Sequence, residues 1–214
     1  MSLEDALAAL PIFPLPRVTL FPGTELPLHI FEPRYRQMLE DCLATHEAMA
    51  VATLREDTEG ELHAEPQVHR IAGAGIVTRS EKLADGRSNI VLVGKARVVL
   101  EELPTEGAYR RARARVLHDL EVPVSDTDRS ALISLAARFA DIARKLNPRF
   151  SVDIPAQASA SELSDFVAAH FVLHPDARQA LLETLDVGAR VTQLIDILSS
   201  QVAYSSRPKE MTLH

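Results

Sequence analysis

Val68-His69-Arg70-Ile71-Ala72-Gly73-Ala74-Gly75-Ile76-Val77-Thr78-Arg79-Ser80-Glu81-Lys82-Leu83-Ala84-Asp85-Gly86-Arg87-Ser88-Asn89-Ile90-Val91-Leu92-Val93 reads as two strand-like runs around one tight turn. Asp85-Gly86 between apolar, β-branched runs is a strong short-range hairpin signal, because glycine accepts the positive φ that such turns require. The first run spans Val68 to Leu83 and carries Gly73 and Gly75 inside it, which predicts a bulge or a sharp bend. The return strand covers Asn89 to Val93, Gly94-Lys95 is expected to break it, and Ala96 to Leu100 reads as a further strand.

Outward from this hairpin the pattern continues. Arg111, Arg113 and Arg115 alternate with Ala112, Ala114 and Val116, as in a strand with one wet face. Upstream, Ile12–Leu15 and Glu25–Ile30 are short strands, with prolines that place them at edges and Pro22-Gly23 as a turn between them. Pro33 stands at a first helical position behind Glu32, a candidate cap or a partner for Arg34 or Arg97, and the helix runs to Ala44 with Tyr35, Met38, Leu39 and Cys42 on one face. Met49 to Leu54 is a short apolar strand. Six or more short strands in this half fit a closed or nearly closed barrel.

Beyond residue 123 the period becomes helical, and seven of the eight glycines lie before that point. Leu132, Leu135, Phe139, Ile142 and Leu146 form an amphipathic stripe behind a cap at Ser125 or Asp126. Ser159-Ala160-Ser161-Glu162 has capping-box spacing, Pro175 opens a third helix and Asp186 a fourth. The expected fold is α+β. Residues 1–122 form a barrel-like subdomain with one helix near 33–44, residues 123–204 form a four-helix bundle, and 205–214 are a loose tail.

Composition bounds the function. The 214 residues are 46% apolar and 25% charged, as in ordinary globular proteins. A single cysteine excludes an internal disulfide and a zinc site built on paired cysteines. The acidic N-terminus is no secretory signal, and no apolar run reaches membrane-spanning length, so a cytoplasmic protein is expected. A net charge of −7 argues against a nucleic-acid coat.

Catalytic motifs are missing. Gly94-Lys95 is followed by Ala96 rather than a hydroxyl residue, so it is no phosphate loop, and no Gly-x-Ser-x-Gly elbow occurs. Cys42 reads as a small core hydrophobe. His170 and His174 have metal-ligand spacing, but His174 precedes Pro175 and fits a helix boundary better. His63 and His69 lack a third ligand in view, and Glu56, Asp57, Glu59 and Glu61 read as a solvated loop. No catalytic residue, metal or cofactor is expected. Arg110, Arg111, Arg113 and Arg115 form the most basic stretch, an RNA or acidic-partner stripe or else a sheet face paired with Glu101 and Glu102.

Phe13-Pro14-Leu15, Leu20-Phe21-Pro22-Gly23 and Leu26-Pro27-Leu28-His29-Ile30-Phe31-Glu32-Pro33-Arg34-Tyr35 together resemble the N-terminal domain of Lon proteases. Leu83–Arg87, Val93–Arg97 and Leu181–Arg190 extend the resemblance over roughly residues 10–200, with a departure at Ile71-Ala72-Gly73, where the family reads Ile-Gly-Thr. The resemblance implies a pseudo-barrel related to PUA-type RNA-binding domains, followed by helices. It implies recognition of unfolded or tagged polypeptide, or of a partner protein, with no catalytic Ser or Lys to carry over. The expectation is a stand-alone, non-enzymatic domain without the ATPase and protease modules. RNA binding by analogy with PUA folds and an enzyme of unrecognised chemistry are the alternatives. The expected binding surface lies between barrel and helices and is lined by Phe31, Glu32, Arg34, Tyr35 and Arg97, with Arg97 facing outward.

Overall fold

The structure is a computed structural model that describes residues 2–55, 66–104 and 106–205. In chain order its elements are α1 (Leu3–Ala6), β1 (Leu10–Leu15), β2 (Glu25–Ile30), α2 (Pro33–Ala44), β3 (Ala48–Thr53), β4 (Ile71–Lys82), β5 (Ser88–Glu102) and β6 (Arg111–Leu117), then α3 (Asp126–Leu146), α4 (Ala160–Phe171), α5 (Pro175–Glu183) and α6 (Val187–Ser205). They form two units, Met1–His118 with His174–Leu185 and Asp119–Leu173 with Asp186–His214. The units are therefore interleaved along the chain rather than cut once near residue 122.

In the first unit the sheet runs β2-β5-β4-β3-β1-β6, and β6 also pairs with β5. Five strands thus close into a barrel and β2 lies outside the closure. The length of β5 makes this possible: Ser88–Val93 pair with β2, and Arg97–Glu102 pair with β6. The register shift between Ala74 and Gly75 is the bulge expected from the two glycines.

Gly94-Lys95 does not break β5, contrary to expectation. Gly94 N–H donates to the Thr24 carbonyl and the Gly94 carbonyl accepts from Gly23 N–H, both at 2.9 Å. A Cβ on Gly94 would collide with the Phe21 carbonyl, and one on Gly73 with that of Leu20. The glycines let the Leu20–Thr24 loop lie directly on the strands, with Phe21 fully buried.

Strands β1 and β3 bury residues on both faces. One cluster holds Leu10, Ile12, Ala48, Ala50, Ala74 and Ala112, and its alanines suit a narrow five-stranded interior. The opposite faces of β1 and β3 give Phe13, Met49 and Val51, which pack with Tyr35, Met38, Leu39 and Cys42 of α2. Strict alternation along Ala48-Met49-Ala50-Val51-Ala52 sorts small residues to one face and large ones to the other. Helix α5 belongs to this unit: Gln179 Nε2 donates to the Ile71 carbonyl at 2.9 Å, and Leu181 and Leu182 are buried.

The second unit packs α3, α4 and α6 against one another, three helices rather than the expected four, because α5 spends its apolar face in the other unit. Ser125 caps α3 by accepting from Asp128 N–H at 3.0 Å, and Ser159 with Glu162 forms the expected capping box on α4. Asp186 accepts from Ala189 N–H at 2.9 Å at the start of α6. Arg190 is fully buried. Its two Nη atoms lie 3.1 and 2.6 Å from the two oxygens of Asp119, and its Nε donates to Ser164 at 2.9 Å. A bidentate carboxylate and a hydroxyl offset the desolvation of that buried guanidinium.

Candidate functional site

Strand β2 ends at Ile30, Glu32 takes the N-cap position, and Pro33 opens α2. Glu32 caps only with its backbone: its carbonyl accepts from Tyr35 and Arg36 N–H at 3.0 and 2.9 Å, whereas its carboxylate lies 3.0 Å from Arg34. A carboxylate drawn to a neighbouring guanidinium is lost to the helix end. Of the two expected roles for this carboxylate, capping and pairing with a neighbouring arginine, it takes the second.

The strand-to-helix junction forms one wall of a cavity of about 370 Å³. Leu28 to Glu32, with Arg34 and Tyr35, line it on one side; Phe13 to Pro16 line it on the other, with Leu54, Pro66 and Arg110. Tyr35 is buried, its ring 4.5 Å from that of Phe13, and the Arg34 guanidinium lies 4.6 Å above the Tyr35 ring. Phe31 is 58% exposed and stacks on His29 at 6.0 Å. A large aromatic is thus left in solvent beside an apolar hollow.

A second cavity of about 80 Å³ adjoins the first, sharing Pro14, Arg34, Tyr35 and Arg110 with it, and reaches Gly107 to Tyr109. Tyr109 donates to Asp41 at 2.8 Å. Burial, reinforced by that hydrogen bond, pushes its phenol up to about 12. On the far side of β2, Pro27–His29 border a broader depression of about 750 Å³.

Four of the five residues expected at a binding surface, Phe31, Glu32, Arg34 and Tyr35, therefore line one groove. Arg97 does not. Its side chain points inward, 3% exposed, and its Nε donates to the Leu182 carbonyl at 3.0 Å. The expectation of an outward Arg97 fails because α5 covers that part of β5 and supplies a carbonyl for the guanidinium.

The arginine stripe carries its own carboxylates. Arg110 pairs with Glu102 at 2.6 Å and Arg113 with Glu101 at 3.5 Å, while Arg111 donates to the Glu106 carbonyl at 3.2 Å. Arg113 and Arg115 are exposed, and Ala112 and Ala114 are buried, as the alternation predicts. Arg110 is half withdrawn from that face into the groove, where it also donates to the Pro66 carbonyl at 2.8 Å.

The remaining sequence candidates have structural partners. Cys42 is buried and donates to the Ala48 carbonyl at 3.3 Å, and burial pushes its thiol up to about 12. His170 pairs with the Phe166 carbonyl at 2.8 Å, His174 caps α5, and His69 pairs with Glu183 at 3.1 Å. Among the described residues no group of three or more His, Cys, Asp or Glu is placed to hold a metal. Glu56, Asp57, Glu59, Glu61 and His63 lie outside the described residues, as does the tail beyond residue 205. The groove residues offer apolar contact, aromatic stacking and a few polar rim groups.

The β1 wall escaped the sequence reading of the site. Its signal was the Pro14-Leu15-Pro16 alternation, which marks an edge strand but does not say what it faces.

Comparison with known proteins gives one family. A family model described as the ATP-dependent protease La (LON) substrate-binding domain matches residues 9–200. A Lon protease of Roseiflexus castenholzii is 27% identical over 201 residues, 92% of this chain and 25% of that protein. A Lon protease of Anaeromyxobacter dehalogenans is 27% identical over 204 residues, 92% of this chain and 24% of that protein. The chain thus spans about a quarter of the length of the curated relatives it matches. Among solved structures, the N-terminal domain of the Mycobacterium avium complex Lon protease aligns with TM-score 0.66 at 18% identity, over 89% of this chain and 98% of that one. A Lon N-terminal domain protein from Xanthomonas campestris gives TM-score 0.66 at 19% identity, over 88% and 97%. These structures share the fold. No described helix is long and apolar enough to cross a membrane.

Proposed function

Because the chain belongs to the Lon substrate-binding domain family, we propose that it is a non-catalytic recognition module that binds polypeptide segments in the groove at Phe31–Tyr35, in the cytoplasm. The observation that carries this reading is the apolar hollow between Phe13–Pro16 and Leu28–Tyr35, with exposed Phe31 at its rim. A folded protein hides its apolar side chains, whereas an unfolded one presents them, so such a hollow selects for non-native segments. Glu32, Arg34 and Arg110 at the rim orient the backbone or polar side chains of the bound segment. Arg97 works in the same unit by anchoring α5 and does not touch the ligand.

The test is fluorescence anisotropy with a labelled, permanently unfolded polypeptide and, separately, a labelled single-stranded RNA, each at low and moderate salt. Polypeptide binding that survives salt and weakens about tenfold in Phe31→Ser supports the proposal. Binding of RNA alone, collapsing with salt, would move the site to Arg110–Arg115 and overturn it.

A further inference from the structure

The outer edge of β2 is open: β2 ends the sheet and pairs only with β5 among the described residues. The direction of each backbone group on it follows from the ladder. Gly94 N–H donates to the Thr24 carbonyl, which turns that carbonyl towards β5, and Leu83 N–H donates to the Arg87 carbonyl, a parity that turns Asn89 and Val91 towards β4 and leaves Ser88, Ile90 and Leu92 towards β2. Antiparallel pairs alternate, so Leu26–Leu92, Leu28–Ile90 and Ile30–Ser88 are bonded, and Glu25, Pro27 and His29 turn their backbone groups away from β5. Pro27, which has no N–H, falls in an outward position, as this parity requires. His29 therefore offers both N–H and C=O on the open edge, and Pro27 offers C=O.

The facing wall is different. Ile12 N–H donates to the Arg110 carbonyl and the Leu15 carbonyl accepts from Leu54 N–H. Residues 12, 14 and 16 of that wall thus turn away from β3, and two of these are Pro14 and Pro16, which have no N–H. The β1 edge beyond Ile12 offers only acceptors. The groove has one edge able to extend a sheet and one that cannot.

We infer that this groove takes its ligand by strand addition: an extended segment of an unfolded polypeptide pairs with the outer edge of β2, centred on His29, and places one apolar side chain against Phe31 and Tyr35. This deepens the proposed function and rests on it. Main-chain hydrogen bonds to His29 and Pro27 are indifferent to sequence, while the hollow selects an apolar residue at alternate positions. Pro27 keeps the open edge short and uneven, and Pro14 and Pro16 leave the facing wall without donors, which protects the groove from pairing with whole sheets while leaving room for a few residues of unfolded chain. A proline placed in the ligand opposite His29 removes its donor and is excluded.

The test separates main chain from side chain. The probe is a labelled ten-residue peptide of alternating phenylalanine and threonine. His29→Pro removes the outward N–H without touching a bond to β5, whereas His29→Ala keeps it. Strand addition predicts a loss of at least tenfold for His29→Pro and less than threefold for His29→Ala. In the wild-type protein, which needs no folding control, amide exchange gives a second reading. The His29 N–H exchanges freely without peptide and becomes protected on saturation, while Leu28 and Ile30 are protected throughout. Equal losses in both variants, or a saturated complex with His29 still unprotected, would overturn strand addition and leave the groove assignment intact. Binding unaffected by Phe31→Ser would overturn the groove assignment itself. Protection of His29 that rises with protein concentration in the absence of peptide would assign the edge to a second copy of the chain and overturn the inference.

Discussion

Strands β2 and β3 have the same length and opposite lives. Ala48-Met49-Ala50-Val51-Ala52-Thr53 is buried at every position, carries no proline, and pairs on both edges, parallel with β1 and antiparallel with β4. Glu25-Leu26-Pro27-Leu28-His29-Ile30 buries only its last residue, contains a proline, and pairs on one edge. Both are short and partly apolar, yet one is a beam of the barrel and the other a rim. A strand inside the closure is shielded from water on both faces, while the strand left outside it keeps one edge unpaired among the described residues, and the proposed recognition uses that edge.

If that division holds, Met49→Ala destabilises the protein by about 2–5 kcal/mol, because it opens a cavity between the sheet and α2. Urea unfolding measures it, and a loss below about 1 kcal/mol would break the contrast. Gly94→Ala, on the strand that joins both regions, drives a Cβ against the Phe21 carbonyl and is expected to cost about 2–3 kcal/mol or force the Leu20–Thr24 loop off the sheet. The same unfolding curve reports it, and so does faster exchange of the residue-94 N–H once it loses the Thr24 carbonyl.

Phe31→Ser belongs to the rim. Its expected effect on stability is within about 0.5 kcal/mol, since Phe31 is mostly exposed, while polypeptide binding falls about tenfold, or 1.4 kcal/mol. A Phe31→Ser protein that melts early would place this residue with the core. On the α2 side, Cys42 and Tyr109 both hold their protons to about 12. The unfolded chain ionises its thiol near 9 and its phenol near 10, so there it binds fewer protons than the folded state. Stability therefore falls as pH rises from about 9 towards 12. Below that range the native thiol resists disulfide reagents, and a stoichiometric reaction at neutral pH without unfolding would contradict its burial. The smallest effect is expected at Arg113→Gln. Its pair with Glu101 lies in solvent, so stability and polypeptide binding change by less than about 0.5 kcal/mol.

Local chemistry was legible from the sequence. The Asp85-Gly86 turn, the helix at Pro33, the Ser125 cap and the Ser159–Glu162 capping box each depend on residues within a few positions of one another. The arginine alternation of β6 was legible for the same reason. What escaped depends on distant partners. Gly94 reads as a break until the Phe21 carbonyl is seen against it. Arg97 reads as outward until α5 supplies the Leu182 carbonyl. The buried Asp119–Arg190 pair joins positions far apart along the chain, and neither residue is unusual in its own neighbourhood. Of the groove, the Phe31–Tyr35 wall is a contiguous motif and stood out, whereas the Phe13–Pro16 wall is distant in sequence and joins it only in the folded chain.

The most direct measurement is a residue-resolved NMR titration of the intact chain with an unfolded, permanently denatured polypeptide. Shift changes are expected to gather on Leu28–Tyr35, Phe13, Leu15 and Tyr109, with Ala48–Thr53 unmoved. Changes gathered instead on Arg111–Arg115, or spread over the helices of the second unit with the groove silent, would contradict the proposed site.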